Sequence, residues 1–113
     1  MRGLNDRRFL NLFQIVHRAS FPDPTRTHRS IGDVEWRKDR HTFAGAGYSF
    51  STDIHQLRHA GKNRAGWELM VVTEHWWDAR HEPLRSTTWV KALQGSAPAI
   101  AAWFRDQEQG RTP

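Results

Sequence analysis

The segment from Trp67 to Trp77 constrains the fold more than any other part of this chain. Its centre, residues 69–72, reads Leu-Met-Val-Val, so a strand through it would be apolar on both faces. Strands of this kind lie inside a sheet, with another element covering each face. We therefore predict an interior strand here. Because strand side chains alternate, the adjacent Trp76 and Trp77 must point to opposite faces.

Each end of the chain has the apolar periodicity of a helix. The first predicted helix runs from about Asp6 to Ala19, with Asn5 as its N-cap. Its apolar stripe consists of Phe9, Leu12, Phe13 and Val16. The second predicted helix starts after Ser96 and ends at Gly110. Its apolar stripe consists of Ile100, Trp103 and Phe104.

Between these helices the apolar period changes to two. Val34 and Trp36 alternate with charged residues, and after a polar turn at Lys38-Asp39 the run from Thr42 to Phe50 continues as a second strand. This pattern predicts a β-hairpin. A further strand is predicted over Ser86–Leu93, where Thr, Trp and Val are frequent.

A short helix is predicted between the hairpin and the interior strand. Thr52 or Asp53 is a suitable N-cap, and Gly61 suits the left-handed position that ends a helix after Ala60. The predicted order of elements is therefore α-β-β-α-β-β-α. This is an α+β fold with about four strands in an antiparallel or mixed sheet covered by helices.

The size of the chain predicts a single domain over residues 1–113. Two cores of ~55 residues each would both be marginal without disulfides or metals. Residues 21–31 contain two prolines and few apolar side chains, so we expect an exposed connection there. Residues 110–113 are expected to be a frayed tail.

The composition restricts the compartment and the partners. The chain has no cysteine, which excludes disulfides and thiolate metal sites and fits a reducing compartment. No segment has the apolar length of a transmembrane helix or the features of a signal peptide, so we expect a cytoplasmic protein without membrane association. The formal net charge of +5 attracts polyanions of every kind.

Two short basic clusters, residues 37–41 and 58–64, favour nucleic acid among those polyanions, because Lys and Arg neutralise phosphates while aromatic rings stack on bases. The leading hypothesis is a small accessory domain, not an enzyme, that binds nucleic acid mainly through phosphates with little sequence readout. The candidate contacts are Arg37, Lys38, Arg40, Arg58, Lys62, Arg64 and Trp77. This hypothesis requires both clusters to lie on one side of the domain. Otherwise the cations form a solvated surface that keeps the protein soluble.

The tryptophans support a second hypothesis from a different class. Strand or helix periodicity predicts core positions for Trp36, Trp67, Trp89 and Trp103. Either Trp76 or Trp77 is then exposed or in an interface, which favours a protein-interaction module, expected to be a homodimer. A third hypothesis is a small ribonuclease that uses His with Arg and Lys around a scissile phosphate.

The histidine spacing allows a test for a metal site. On the predicted short helix, His55 and His59 are four residues apart, which is the spacing of two ligands of one zinc ion. Candidates for the other ligands are His75, Asp78 and His81. The pair lacks the Glu of a His-Glu-x-x-His motif, and seven histidines produce such spacing readily by chance. We therefore predict no metal and no cofactor.

Overall fold

A computed structural model describes the protein over residues 3–61 and 66–110. In this part of the chain, two helices flank five strands. The elements are α1 (Arg7–Ser20), β1 (His28–Ile31), β2 (Val34–Gly45), β3 (Tyr48–His59), β4 (Trp67–Asp78), β5 (Pro83–Gln94) and α2 (Ala97–Gln109). The strands form one sheet in the order β1-β2-β3-β4-β5, and each pairs antiparallel with its neighbour along the chain.

The predicted order α-β-β-α-β-β-α is wrong, because the segment expected to form a short helix is part of β3. This strand pairs with β2 along one edge and β4 along the other. Its side chains alternate, with His55 and Leu57 buried while Gln56 and Arg58 are exposed. The two neighbouring strands bond the backbone over its whole length, whereas a short helix leaves the groups of its end turns unpaired. The sheet therefore has five strands, all antiparallel.

The turn of the predicted hairpin also lies later than expected. β2 continues through Lys38-Asp39, and the chain turns at Ala46-Gly47, where Gly47 adopts the left-handed conformation with φ of 84°. The polar pair does not interrupt the strand, because the Asp39 side chain faces solvent. The connection predicted over residues 21–31 contains β1, which pairs with the start of β2.

Both helices pack on the same face of the sheet, called the covered face below. They lie where the periodicity predicted them, although the N-cap of α1 is Asp6 rather than Asn5. The core between helices and sheet includes Phe9, Phe13, Val16, Ile100 and Phe104 from the helices and Val34, Trp36, Leu57, Leu69 and Val71 from the strands. Neither described helix has the length and apolar content needed to span a membrane.

The helices protect only one end of the covered face. The 14 residues of α1 extend about 21 Å, whereas the 12 residues of β2 extend about 40 Å. Accordingly, Val34 and Trp36 at the start of β2 are buried, while residues 39–45 are exposed. The rest of this face, called the polar end below, has two cross-strand rows. They are Arg40, Asp53, Thr73 and Thr88, then Thr42, Ser51, His75 and Ser86.

The opposite face, called the open face, has no helix of the described residues packed on it. β4 lies between β3 and β5, as expected for an interior strand, but the prediction that both of its faces are covered is wrong. Trp36 and Trp67 are core residues as predicted, and Trp103 packs at the margin of the core. Trp89 is 38% exposed on the open face, so its predicted core position is wrong.

Candidate nucleic-acid interface

A continuous row of aromatic side chains crosses the open face. Phe43, Phe50, Trp76 and Arg85 lie directly opposite one another on β2, β3, β4 and β5. The ring centroids of Phe43 and Phe50 are 5.9 Å apart, and those of Phe50 and Trp76 are 4.3 Å apart. The Arg85 guanidinium carbon lies 5.1 Å from the centre of the Trp76 ring. We call these four residues, three aromatic and one arginine, the aromatic row. The register of the four strands places them on one face, at the same position along the strands.

The aromatic row is accessible to a ligand. Phe43 is 58% exposed and Tyr48, whose ring centroid is 5.8 Å from that of Trp76, is 46% exposed. A second apolar row of Ile54, Val72 and Trp89 crosses the same face, about 13 Å further along the strands. Exposed rings such as those of Phe43 and Tyr48 are what stacking on unpaired bases requires.

Charge on the open face is balanced rather than uniformly basic. Alternation places Arg37, Arg58, Arg85 and Lys91 there together with Glu35, Asp39, Glu68, Glu74 and Asp78. Arg58 lies 3.4 Å from a carboxylate oxygen of Glu68. Arg37 and Lys91 lie in one cross-strand row, which His28 of β1 continues beyond Arg37, and neither forms an ion pair with a described residue. These two side chains are therefore the cations best placed for phosphates.

The two predicted basic clusters do not share one face. Arg37 and Arg58 lie on the open face, whereas Lys38 and Arg40 point to the covered face. Lys38 Nζ donates to the Pro24 carbonyl and lies 4.5 Å from the centre of the Phe21 ring, and partial burial lowers its pKa. The Arg40 guanidinium donates hydrogen bonds to both carboxylate oxygens of Asp53. The predicted contacts Lys62 and Arg64 lie outside the described residues.

The structure separates the two adjacent tryptophans as strand alternation predicts. Trp77, the candidate stacking residue, lies at the polar end of the covered face between the rings of His75 and His81, at centroid distances of 5.7 and 5.5 Å. Trp76 is on the open face, in the aromatic row. Trp77 therefore does not lie beside Arg37, and Trp76 occupies the position that a stacking residue needs.

The histidines with metal-ligand spacing do not converge. His55 and His59 are in a strand, so four residues separate them by about 13 Å instead of one helical turn. Asp78 is on the opposite face from His75, and one of its carboxylate oxygens accepts hydrogen bonds from backbone N–H groups of the β4–β5 turn. The described residues contain no group of three His, Asp or Glu side chains able to hold a metal ion.

An open cleft lies where the covered face emerges from under α1. It is lined by His17, Pro24, Thr27, Lys38, Asp39, Arg40, Asp53 and His55. The rings of His17 and His55 have centroids 4.6 Å apart. Trp36 Nε1 donates to His55 Nδ1 over 3.1 Å, so that ring nitrogen has no proton. Burial, assisted by the charge of His17, lowers the pKa of His55 to about 3.

A hydrogen-bonded chain of three side chains crosses the polar end. His75 Nε2 is 3.0 Å from Asp53 Oδ2, and His75 Nδ1 is 3.0 Å from Ser86 Oγ. Arg40 binds both carboxylate oxygens of Asp53, at 2.5 and 2.9 Å. Burial would raise the pKa of Asp53, but the hydrogen bonds and charges of Arg40 and His75 outweigh it and lower that pKa. Asp53 is therefore an ionised acceptor at neutral pH.

The sequence contained no signal for this chain of contacts. Asp53 was a candidate helix cap, His75 a candidate metal ligand, and Ser86 the first residue of a predicted strand. The three side chains are on β3, β4 and β5, so only the strand register brings them together. A correct prediction of that register would have been the one way to find them.

Comparison of the chain with protein-family models, with curated proteins and with solved structures gave no match. The function must therefore be argued from the residues of this chain alone.

Proposed function

We propose that this protein binds single-stranded nucleic acid on the open face of its sheet. In this arrangement, bases stack on the aromatic row and phosphates lie beside Arg37 and Lys91. The observation that supports this proposal is the row of Phe43, Phe50 and Trp76 on a face without a helix, where neighbouring ring centroids are 5.9 and 4.3 Å apart. A cytoplasmic location, which the cysteine-free composition favours, is part of the proposal.

The structure changes the balance of forces expected from the sequence. Five acidic residues offset four cations on the open face, so phosphate attraction there is local. Base stacking contributes about 1–3 kcal/mol per base, and two phosphate contacts give a salt slope of about 1.4 for a single strand. Stacking therefore contributes more of the binding free energy than the phosphate contacts do. Double strands, whose bases are already stacked on one another, bind less well.

A second candidate function is self-association through the same face. The row of Ile54, Val72 and Trp89 is apolar, and a face with similar numbers of acidic and basic residues is able to pair with its own copy. This would make the protein the homodimeric interaction module that its tryptophans suggested.

The ribonuclease hypothesis has less support. Cleavage of a phosphodiester by two histidines needs one of them protonated as the acid and the other neutral as the base. His55 has a pKa of about 3, and burial lowers the pKa of His17 as well, so neither ring of the pair is held in the charged form at neutral pH. The cleft thus lacks the acid that this reaction needs from the pair.

The proposal is tested by binding and sizing together. Fluorescence anisotropy with single- and double-stranded DNA and RNA, at about 50 and 200 mM salt, should show tighter binding of single strands. Arg37→Ala with Lys91→Ala should reduce the magnitude of the log K versus log salt slope by about 1–2. The matched control, Arg7→Ala with Arg105→Ala on the helices, removes the same charge and should leave the slope unchanged.

Absence of binding to all four nucleic-acid types at the lower salt would overturn the proposal. Sedimentation of the free protein at twice the chain mass, combined with that absence, would instead support self-association.

A further inference from the structure

We propose that Ser86 is a nucleophile toward carboxylic esters, with His75 as its general base and Asp53 as the residue that positions His75. This second activity is separate from the nucleic-acid proposal, because the three residues lie at the polar end of the covered face and the aromatic row lies on the other side of the sheet.

The hydrogen bonds fix the tautomer of His75. The Asp53 carboxylate is ionised and only accepts hydrogen bonds, so His75 Nε2, at 3.0 Å, must donate its proton to Asp53. When the ring is neutral, Nδ1 carries a lone pair 3.0 Å from Ser86 Oγ. In that form the hydroxyl of Ser86 donates to His75, as in a base-activated serine, with the two ring nitrogens exchanged relative to the common Ser-His-Asp triad.

Neighbouring side chains hold this arrangement in place. Arg40 binds both oxygens of Asp53, which fixes the plane of the carboxylate. The His75 ring stacks on Trp77 at 5.7 Å, and Trp77 stacks on His81 at 5.5 Å. The imidazole is thus oriented by a hydrogen bond at each nitrogen and by an aromatic surface along its face.

The backbone at Ser86 supplies a donor for the charge that develops on the carbonyl oxygen. β5 is an edge strand, and at Val90 both backbone groups point away from β4, because they bond the side chain of Asn5. Backbone direction alternates along an antiparallel strand, and no register shift lies between Ser86 and Val90. The N–H groups of Ser86 and Thr88 therefore also point to the free edge. The N–H of Ser86, beside its own Oγ, is placed to bind an oxyanion.

The chemistry balances without a cofactor. Ser86 Oγ attacks the ester carbonyl as its proton moves to His75 Nδ1, and the carbonyl–alkoxide bond breaks as His75 returns the proton to the leaving alcohol. Water then attacks the acyl-serine, gives a proton to His75, and releases the acid as Ser86 regains its hydroxyl proton. Ser86 is exposed on the edge strand, where small acyl groups such as acetyl are able to reach it.

Covalent labelling tests this site. The full-length protein, treated with a fluorophosphonate and in parallel with p-nitrophenyl acetate, should form an adduct that peptide mapping assigns to Ser86. Ser86→Ala should abolish the adduct, and His75→Gln should slow its formation about 100-fold or more. The control Ser30→Ala removes an exposed serine from the opposite edge strand, where its Oγ bonds Glu35 rather than a histidine, and should change nothing.

The positioning role of Asp53 is tested separately, by locating the proton on the His75 ring. In Asp53→Asn, nitrogen-detected NMR should show that the His75 proton no longer resides on Nε2 alone, and labelling should slow in parallel. A protein with no adduct at Ser86, or with labelling in folded His75→Gln within about twofold of the unaltered chain, would overturn the proposal. If thermal melting shows that His75→Gln is unfolded, labelling of the unaltered chain against Ser86→Ala decides alone.

Discussion

On the covered face of the sheet Trp36 is completely buried, whereas on the open face Phe43 is 58% exposed and Trp76 is only partly buried. Both faces are built from the same strands, and both carry aromatic residues. The difference is that α1 and α2 pack on one face only. Aromatic side chains on the covered face stabilise the fold, and those on the open face remain available to a ligand.

The largest expected effect on stability comes from placing one negative charge on each face in turn. Val71→Asp should unfold the domain, because an unpaired carboxylate in the core costs several kcal/mol against a total stability of about 5–15 kcal/mol. Phe43→Asp should stay folded, since that position is solvent-exposed. Circular dichroism and thermal melting check both. A folded Val71→Asp protein would show that the helices do not seal this face.

The two faces are also compared by replacing the same residue type, tryptophan, on each of them. Trp36→Ala should destabilise the domain by about 3–5 kcal/mol, because it leaves a cavity and removes the donor to His55. Trp76→Ala should cost only about 1 kcal/mol, the value of its ring contacts on the surface. Urea unfolding of the two variants measures the difference. Equal losses would mean that the open face is covered in solution.

Acid should destabilise the covered face through His55. Its pKa is about 3 in the folded protein and 6.5 in a free histidine, so the unfolded chain binds the proton first and stability falls as the pH drops from about 6.5 toward 3. At pH 5 the loss relative to pH 8 should be about 2 kcal/mol.

The variant His55→Gln should remove most of this pH dependence, because the amide oxygen is able to accept from Trp36 and does not titrate. The matched control is His41→Gln on the open face, where the side chain is exposed, and it should leave the slope unchanged. A slope that persists in His55→Gln would assign the effect to other groups, such as His17, whose pKa burial also lowers.

The sequence predicted an element correctly where its apolar side chains follow one clear pattern along the whole element. β4 was predictable because Leu69 to Val72 are apolar at every position, and α2 because Ser96 and Gly110 bound an apolar stripe. β3 was not predictable, since much of it runs past the ends of the helices. There the apolar side chains Tyr48, Phe50 and Ile54 lie on the open face, whereas the next one, Leu57, lies on the covered face, so the period of two changes phase within the strand.

Local features of β3 also imitated a helix. Thr52 and Asp53 are common N-caps, Gly61 is a common helix terminator, and His55 and His59 have helical spacing. Pairing with β2 and β4 outweighed these preferences, because tertiary contacts decide where local propensity is weak. The same limit applies to the candidate sites, since the basic clusters were visible in the sequence but the faces to which their side chains point depend on register.

The most direct test of the account uses the two adjacent tryptophans, which differ in the face that they occupy. Affinity for a single-stranded RNA is measured for Trp76→Ala and Trp77→Ala, after melting curves have shown that both variants are folded. We expect Trp76→Ala to weaken binding about 5- to 150-fold, corresponding to about 1–3 kcal/mol of stacking, and Trp77→Ala to change it by less than about twofold. Equal effects, or a larger loss in Trp77→Ala, would contradict the assignment of the open face as the binding surface.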